Sequence, residues 1–174
     1  MGHLFHEFWF IQLIGAVALA FQFLAWGAVT RKKILCLQSV NLVILGIHFA
    51  LLYAYVGALM NIVAFIRNLV LIRNDGKPWR SRWIWFGFFA ALSLFVLVFS
   101  WQGYRSMLPV AAVIISMYAL WDTRPAHMRF YMLIACFVWI PYTVIAGSYS
   151  GLVSQLVGIS GILWGMYRYD RKVA

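Results

Sequence analysis

Charged side chains, and acidic ones above all, are scarce in this sequence. Only 4 of its 174 residues are Asp or Glu, charged residues make up 10% of the chain, and 65% of it is hydrophobic. An ordinary soluble domain is about half apolar and about a quarter charged. A soluble fold of this composition would have no polar surface to present to water. We therefore expect the chain to lie in a lipid bilayer, where backbone groups must bond internally and helices result.

The four acidic residues all lie at the ends of apolar segments or between them, at Glu7, Asp75, Asp122 and Asp170. Their absence from the apolar interior argues against a carboxylate proton relay, a carboxylate sodium site and an intramembrane hydrolase built on paired acids or a metal. We therefore expect no enzyme, no metal and no cofactor.

Cysteine is also scarce. Cys36 and Cys136 are far apart in sequence, each lies in an apolar segment, and there is no CxxC pair. This pattern favours small apolar side chains within helices over a redox or metal site.

What the sequence does contain is a succession of apolar segments of helix length, about 15 to 22 residues each. We predict an all-α membrane protein with seven transmembrane helices, which use nearly the whole chain and leave no soluble domain. The predicted spans are 8–29, 34–55, 57–72, 83–101, 106–121, 129–146 and 150–167.

The net charge of +10 comes from basic residues placed between the apolar segments. Twelve of the fourteen Lys and Arg residues fall at alternate connections, in 30–33, 73–82 and 122–129, and at the carboxyl terminus. Such a distribution is typical of loops on the cytoplasmic side and indicates orientation rather than a nucleic-acid partner. We predict that the amino terminus lies outside and the carboxyl terminus in the cytoplasm.

An internal repeat with an offset of 93 to 95 residues relates spans 1–3 to spans 5–7. Three helices cross the membrane an odd number of times, so one linker helix is needed to keep two copies parallel. We predict a pseudo-symmetric 3+1+3 bundle: a first repeat in 1–74, a loop and linker helix in 75–104, and a second repeat in 105–174. The matching segments are Leu24-Ala-Trp26 with Ala119-Leu-Trp121, Tyr55-Val-Gly57 with Tyr149-Ser-Gly151, and Arg73-Asn-Asp75 with Arg168-Tyr-Asp170.

Several short segments, distinctive in order and spacing, are similar to the YgjV-type bacterial inner-membrane proteins. They are Gly46-Ile-His-Phe49, Asn61 through Arg67 to Arg73, Leu108-Pro-Val110, Ala119-Leu120, Trp139 and Ala146-Gly-Ser148. The resemblance implies a bacterial inner membrane and little about mechanism. The layout alone resembles the SWEET, PQ-loop and Pnu-type transporters. The chain has no Pro-Gln dipeptide, and no proline lies in spans 1 to 3.

Polar side chains inside the spans mark a candidate substrate site near mid-membrane, because such groups point into a bundle or a wet cavity. Hydrogen bonding between helices is the alternative explanation for them. For Arg67, the one charged residue inside a span, two readings stay open: a counter-ion for the solute, or snorkelling to the cytoplasmic surface. The candidate residues are Asn41, His48, Asn61, Arg67, Asn68, Trp139 and Gln155.

These features together predict passive transport of a small neutral or weakly anionic solute. The alternative is a membrane interaction or scaffold protein that transports nothing. The partners we expect are the lipid bilayer and a small-molecule solute, with no nucleic acid. The glycine-rich face of span 7 indicates packing within the bundle, and a homo-oligomer is not indicated.

Overall fold

The computed structural model of the protein describes residues 2–26, 31–73, 79–121 and 125–169. Within these ranges the chain forms seven α-helices and one short 3₁₀ helix, and no strand. The predicted all-helical fold is confirmed. The elements are α1 (Gly2–Trp26), α2 (Arg31–Leu51), α3 (Tyr55–Arg73), α4 (Trp79–Phe99), a 3₁₀ turn (Tyr104–Ser106), α5 (Met107–Trp121), α6 (Pro125–Ile145) and α7 (Tyr149–Tyr169).

Four helical stretches of 18 to 20 residues are long and apolar enough to cross a membrane: Lys32–Leu51, Tyr55–Arg73, Tyr104–Trp121 and His127–Ile145. Shorter apolar stretches lie in α1 and α4. Many large apolar side chains point outward, and Val98 and Phe99 are more than 70% exposed. Surface of this kind would drive aggregation in water, whereas in a bilayer it is ordinary contact with lipid.

Six of the helices form a closed ring. Neighbours in sequence pack together along α1–α2–α3 and along α5–α6–α7, and the ring closes where α3 packs on α5 and α7 packs on α1. Helix α4 packs against α3 and α5, and its Phe89 is fully buried in the apolar cluster that also holds Met60 and Val113. We call α1–α3 the first half of the ring and α5–α7 the second half.

The α2–α3 and α6–α7 turns have the same backbone structure. Tyr53 has φ 56° and Gly147 has φ 67°, the left-handed conformation that commonly ends a helix. Matching backbone hydrogen bonds close both turns: Ala54 N–H to Phe49 O at 2.9 Å, and Ser148 N–H to Thr143 O at 2.9 Å. The corresponding positions in the two turns are 94 residues apart in each case: Phe49 and Thr143, Tyr53 and Gly147, and Ala54 and Ser148.

The second predicted span was too long at its carboxyl end. The apolar run continues to Tyr55, but α2 ends at Leu51 because Tyr53 takes the left-handed conformation. A non-glycine residue there costs about 1–2 kcal/mol, and hydropathy alone does not report it.

The two ends of the ring differ in chemistry. The α2–α3, α4–α5 and α6–α7 connections lie at one end, where Gln102 Nε2 donates to Tyr53 O at 3.3 Å and Tyr104 and Tyr149 are well exposed. We call this the turn end. The opposite end, where α2 begins and α3 finishes, carries Lys32, Lys33 and Arg73, and we call it the basic end.

Candidate functional site

A central cavity of about 110 Å³ lies inside the ring, with lining residues from all six ring helices. A space of this size with polar groups in its lining has room for several water molecules or one small solute. Fourteen of its eighteen lining residues form seven pairs whose members are 94 residues apart. The pairs are Gln22 and Ser116, Gln38 and Met132, Asn41 and Ala135, Leu42 and Cys136, Leu45 and Trp139, Met60 and Ser154, and Asn61 and Gln155; the others are Phe49, Ala64, Arg67 and Val113.

The two halves of the ring contribute different chemistry to this cavity. Amides predominate on the first half, where Gln38 and Asn41 lie one turn apart on α2. Their counterparts on α6 are Met132 and Ala135, which are apolar. A solute in the cavity therefore meets amides on α2 and an apolar face on α6, while α5 and α7 add Ser116, Ser154 and Gln155.

Among the residues that the structure describes, Arg67 is the only charged side chain that lines the cavity, and it is only 4% exposed. Its Nε and Nη2 donate to Asn68 Oδ1 at 3.2 and 2.9 Å, and its Nη1 donates to Ser116 Oγ at 2.9 Å. The guanidinium is thus turned toward α5 in the ring interior. In this structure Arg67 does not snorkel to the basic end.

Arg67 keeps unused hydrogen-bonding capacity. A guanidinium has five N–H donors, and the three bonds to Asn68 and Ser116 leave two of them without a partner in the described chain. None of the side chains that the structure describes is an Asp or Glu. The positive charge inside the ring is therefore not matched by a described carboxylate.

The predicted asparagines of α2 and α3 both line the cavity, but each is partly occupied. Asn41 Nδ2 donates to Gln22 Oε1 at 2.9 Å, while Asn41 Oδ1 is buried and has no partner within the described ranges of the chain. Asn61 Nδ2 donates to Gly57 O, one turn earlier in its own helix, at 2.8 Å. Asn41 therefore presents an open acceptor toward the interior.

Five of the seven predicted site residues line the cavity: Asn41, Asn61, Arg67, Trp139 and Gln155. Asn68 does not. It holds the Arg67 guanidinium from the adjacent position in α3, so it positions the charge instead of lining the cavity.

His48 is also absent from the lining and lies near the turn end with no exposed surface. Its Nδ1 is 2.9 Å from Ile11 O and its Nε2 is 2.7 Å from Ser148 Oγ. A carbonyl oxygen only accepts, so Nδ1 carries the proton and Nε2 accepts from the serine hydroxyl. The structure thus separates His48 from the other polar residues with which the sequence analysis grouped it.

An aromatic layer lies between the cavity and the turn end. The ring centroids of Phe49, Trp139 and Tyr142 are 5.6 to 5.9 Å apart. Phe49 and Trp139 line the cavity, while Tyr142 OH reaches the α2–α3 turn at Gly57 N and Ala54 O. The layer therefore covers the side of the cavity that faces the turn end.

Sequence reasoning did not single out several polar residues of the interior. Gln12 accepts from Ser150 N at 3.3 Å and donates to Gly147 O at 3.0 Å, and Gln22 lines the cavity. Both glutamines were visible as polar residues inside the first apolar segment. Tyr142 could have been found as the counterpart of His48 under the 94-residue offset.

Comparisons with known proteins agree with the membrane character of the fold. Residues 9–173 match the model of the family Imp-YgjV, described as bacterial inner membrane protein. The chain is 26% identical over 148 residues to "Inner membrane protein YgjV" of Escherichia coli (strain K12), which covers 85% of this chain and 78% of that relative. No solved structure matches the chain.

Proposed function

We propose that this chain, which belongs to the Imp-YgjV family of bacterial inner membrane proteins, is a passive transporter of a small neutral or weakly anionic solute. The cavity at the centre of the ring is the observation that carries this proposal. Six helices from two halves of the chain enclose it, and it contains amides and one arginine at a depth where such groups are expensive. A protein that only needs a stable bundle would pack those groups directly against one another.

The proposal includes a parallel 3+1+3 arrangement. Seven pairs of lining residues and both inter-helix turns keep the 94-residue offset. The ring contact between α3 and α5 has its counterpart between α7 and α1. Two halves related by an axis along the membrane normal, with a site between them, are a known transporter plan. In this plan α4 is the linker that keeps the second half parallel to the first.

The proposal also includes the orientation of the chain. Twelve basic residues fall at the basic end or in the connections assigned to it, and this distribution favours a cytoplasmic basic end and an outside amino terminus. Exposed Tyr53, Tyr104 and Tyr149 at the turn end suit the opposite interface, where tyrosine is enriched.

With this orientation, the cavity lies near the middle of the bundle, because its α3 lining residues run from Met60 to Arg67 in a helix of Tyr55–Arg73. Arg67 is six residues before the end of α3, which is about 9 Å of helix rise. The Phe49, Trp139 and Tyr142 layer separates the cavity from the outer turns. The arrangement corresponds to a transporter closed on its outer side.

Blocking the cavity tests the proposal. We would reconstitute the full-length protein in proteoliposomes and measure counterflow of radiolabelled glycerol, lactamide and lactate, with empty liposomes as the background. Ala135, which is 3% exposed and lines the cavity, would be replaced by Phe to fill it. Ala91→Phe on the exposed side of α4 is the matched control.

We expect the wild type and Ala91→Phe to exchange at least one of these solutes above background, and Ala135→Phe to lose that exchange. Folding of each variant would be checked by monodispersity in detergent. Exchange that survives in a folded Ala135→Phe variant would show that the cavity is not the path. If the wild type exchanges none of these solutes, the transport proposal is wrong and the alternative is a membrane interaction or scaffold protein that transports nothing.

A further inference from the structure

The Arg67 guanidinium needs an anionic partner that the described chain does not supply. It is 4% exposed, its hydrogen bonds go to neutral Asn68 and Ser116, and two of its N–H donors are unused. A buried charge is expensive unless it is paired and hydrogen-bonded. Two N–H donors in one planar guanidinium can bond to both oxygens of a carboxylate, so a carboxylate is a better partner for Arg67 than a single oxygen atom.

A second, independent group on the same cavity needs a different kind of partner. Asn41 Oδ1 is buried and accepts no hydrogen bond from the part of the chain that the structure describes, while Asn41 Nδ2 is already bonded to Gln22. An amide oxygen only accepts, so the missing partner is a donor such as a hydroxyl. Leaving such a group unpaired is unfavourable, which favours a solute or a water that donates to it.

The opposite wall limits the remainder of the solute. Met132, Ala135 and Cys136 of α6 face the cavity from the second half. Transfer of apolar solute atoms from water to this wall is favourable, whereas a second charged group would lose its hydration there without gaining a partner. This apolar wall therefore selects against a second charged group on the solute.

We infer that the cavity is a binding site for a small hydroxylated monocarboxylate. The carboxylate pairs with Arg67, the hydroxyl donates to Asn41 Oδ1, and the short hydrocarbon part lies toward α6. This assignment rests on the proposed transport function and names the class of solute that it carries.

Binding to the purified full-length protein tests the class of solute. The probes are lactate, propionate, lactamide and chloride, each as a titration of thermal stability at constant ionic strength, because a ligand of the folded state raises its melting temperature. Propionate lacks the hydroxyl of lactate, and lactamide lacks its charge. We expect lactate to bind most tightly, propionate more weakly, and lactamide and chloride weakest. Equal binding of lactamide and lactate, or of chloride and lactate, would overturn the inference.

Two substitutions test which side chain contacts the carboxylate and which contacts the hydroxyl of the solute. Arg67→Lys keeps the positive charge but removes the planar guanidinium that can donate two hydrogen bonds to a carboxylate. We expect lactate affinity to fall about tenfold. Asn41→Ala removes the acceptor, and we expect it to abolish the preference for lactate over propionate while propionate affinity is retained. Arg73→Gln, on the exposed end of the same helix, should leave both affinities unchanged. A preference for lactate that persists in Asn41→Ala would refute the hydroxyl contact.

The counterflow assay separates this inference from the proposed function. Exchange of lactamide that is unaffected by Arg67→Lys would overturn the monocarboxylate class and leave transport standing. If lactate binding depends on Arg67 but no probe is exchanged, the proposed transport function is wrong and the inferred binding site is retained.

Discussion

His48 and Tyr142 lie 94 residues apart in sequence, and each hydrogen-bonds to the turn that belongs to the other half of the ring. His48 Nε2 is 2.7 Å from Ser148 Oγ in the α6–α7 turn, and Tyr142 OH accepts from Gly57 N at the start of α3 at 2.8 Å. The first N–H groups of a helix have no partner within it. Tyr142 OH is that partner for Gly57 at the start of α3, and Ser148 Oγ, which is bonded to His48, accepts from Gly151 N in the first turn of α7 at 3.0 Å. The two halves are therefore tied together where α3 and α7 begin.

Removing the Tyr142 hydroxyl should destabilise the protein. In Tyr142→Phe the buried Gly57 N–H loses its acceptor, and an unsatisfied buried donor costs about 1–3 kcal/mol. We expect a lower free energy of unfolding in a denaturant titration of the detergent-solubilised protein. Tyr104→Phe is the control, because Tyr104 is 85% exposed, and its stability should match the wild type. Equal stability of the two variants would mean that the Tyr142 hydrogen bond contributes nothing.

Gly57 is required for the close approach of Tyr142. A methyl group at this position would lie 2.6 Å from Tyr142 Cε1, whereas a methyl group at Gly87 would meet nothing within 4 Å. Alanine at Gly87 should be neutral or stabilise α4 by about 0.5–1 kcal/mol, since glycine is a poor helix former. Gly57→Ala should instead lower the melting temperature, because overpacking costs about 1–3 kcal/mol. A melting temperature that rises equally in both variants would contradict the packing at the turn.

The cavity amides Asn61 and Gln155 should both contribute to transport. They line opposite halves of the same space, and each would lose a polar contact with the solute on truncation. We expect Asn61→Ala and Gln155→Ala each to reduce counterflow of a confirmed substrate several-fold. Gln102→Ala, at the turn end and outside the cavity, serves as the control and should exchange normally. Wild-type exchange by Asn61→Ala would remove that residue from the mechanism.

Accessibility of single cysteines checks the orientation. In a background with Cys36 and Cys136 replaced by Ser, cysteine would be placed at Ser81 in the first turn of α4 or at Tyr104 at the exposed turn end. An impermeant maleimide added to intact spheroplasts should label the Tyr104 position only, and it should label Ser81 after lysis. Labelling of the Ser81 position but not the Tyr104 position in intact spheroplasts would show that the chain has the opposite orientation.

Sequence by itself determined the helices and the depth of the polar groups. Apolar runs of membrane-spanning length form helices because a bilayer offers the backbone no other partner. Helical periodicity then placed Asn41 on the same face of α2 as Gln38, and both line the cavity. The alternation of strongly basic connections with connections that carry at most one charge, Arg105, predicted the two chemically different ends of the ring.

Tertiary structure alone decided which side chains meet. Periodicity had placed His48 on the same face as Asn41, yet His48 bonds to Ser148, 100 residues away in the chain. Arg67 sits at a depth from which it could have snorkelled, but Ser116 on α5 and its neighbour Asn68 hold it in the interior. A sequence pattern fixes the face and height of a side chain along its helix. Its partner depends on how the helices close into the ring, and that is set by packing between segments distant in sequence.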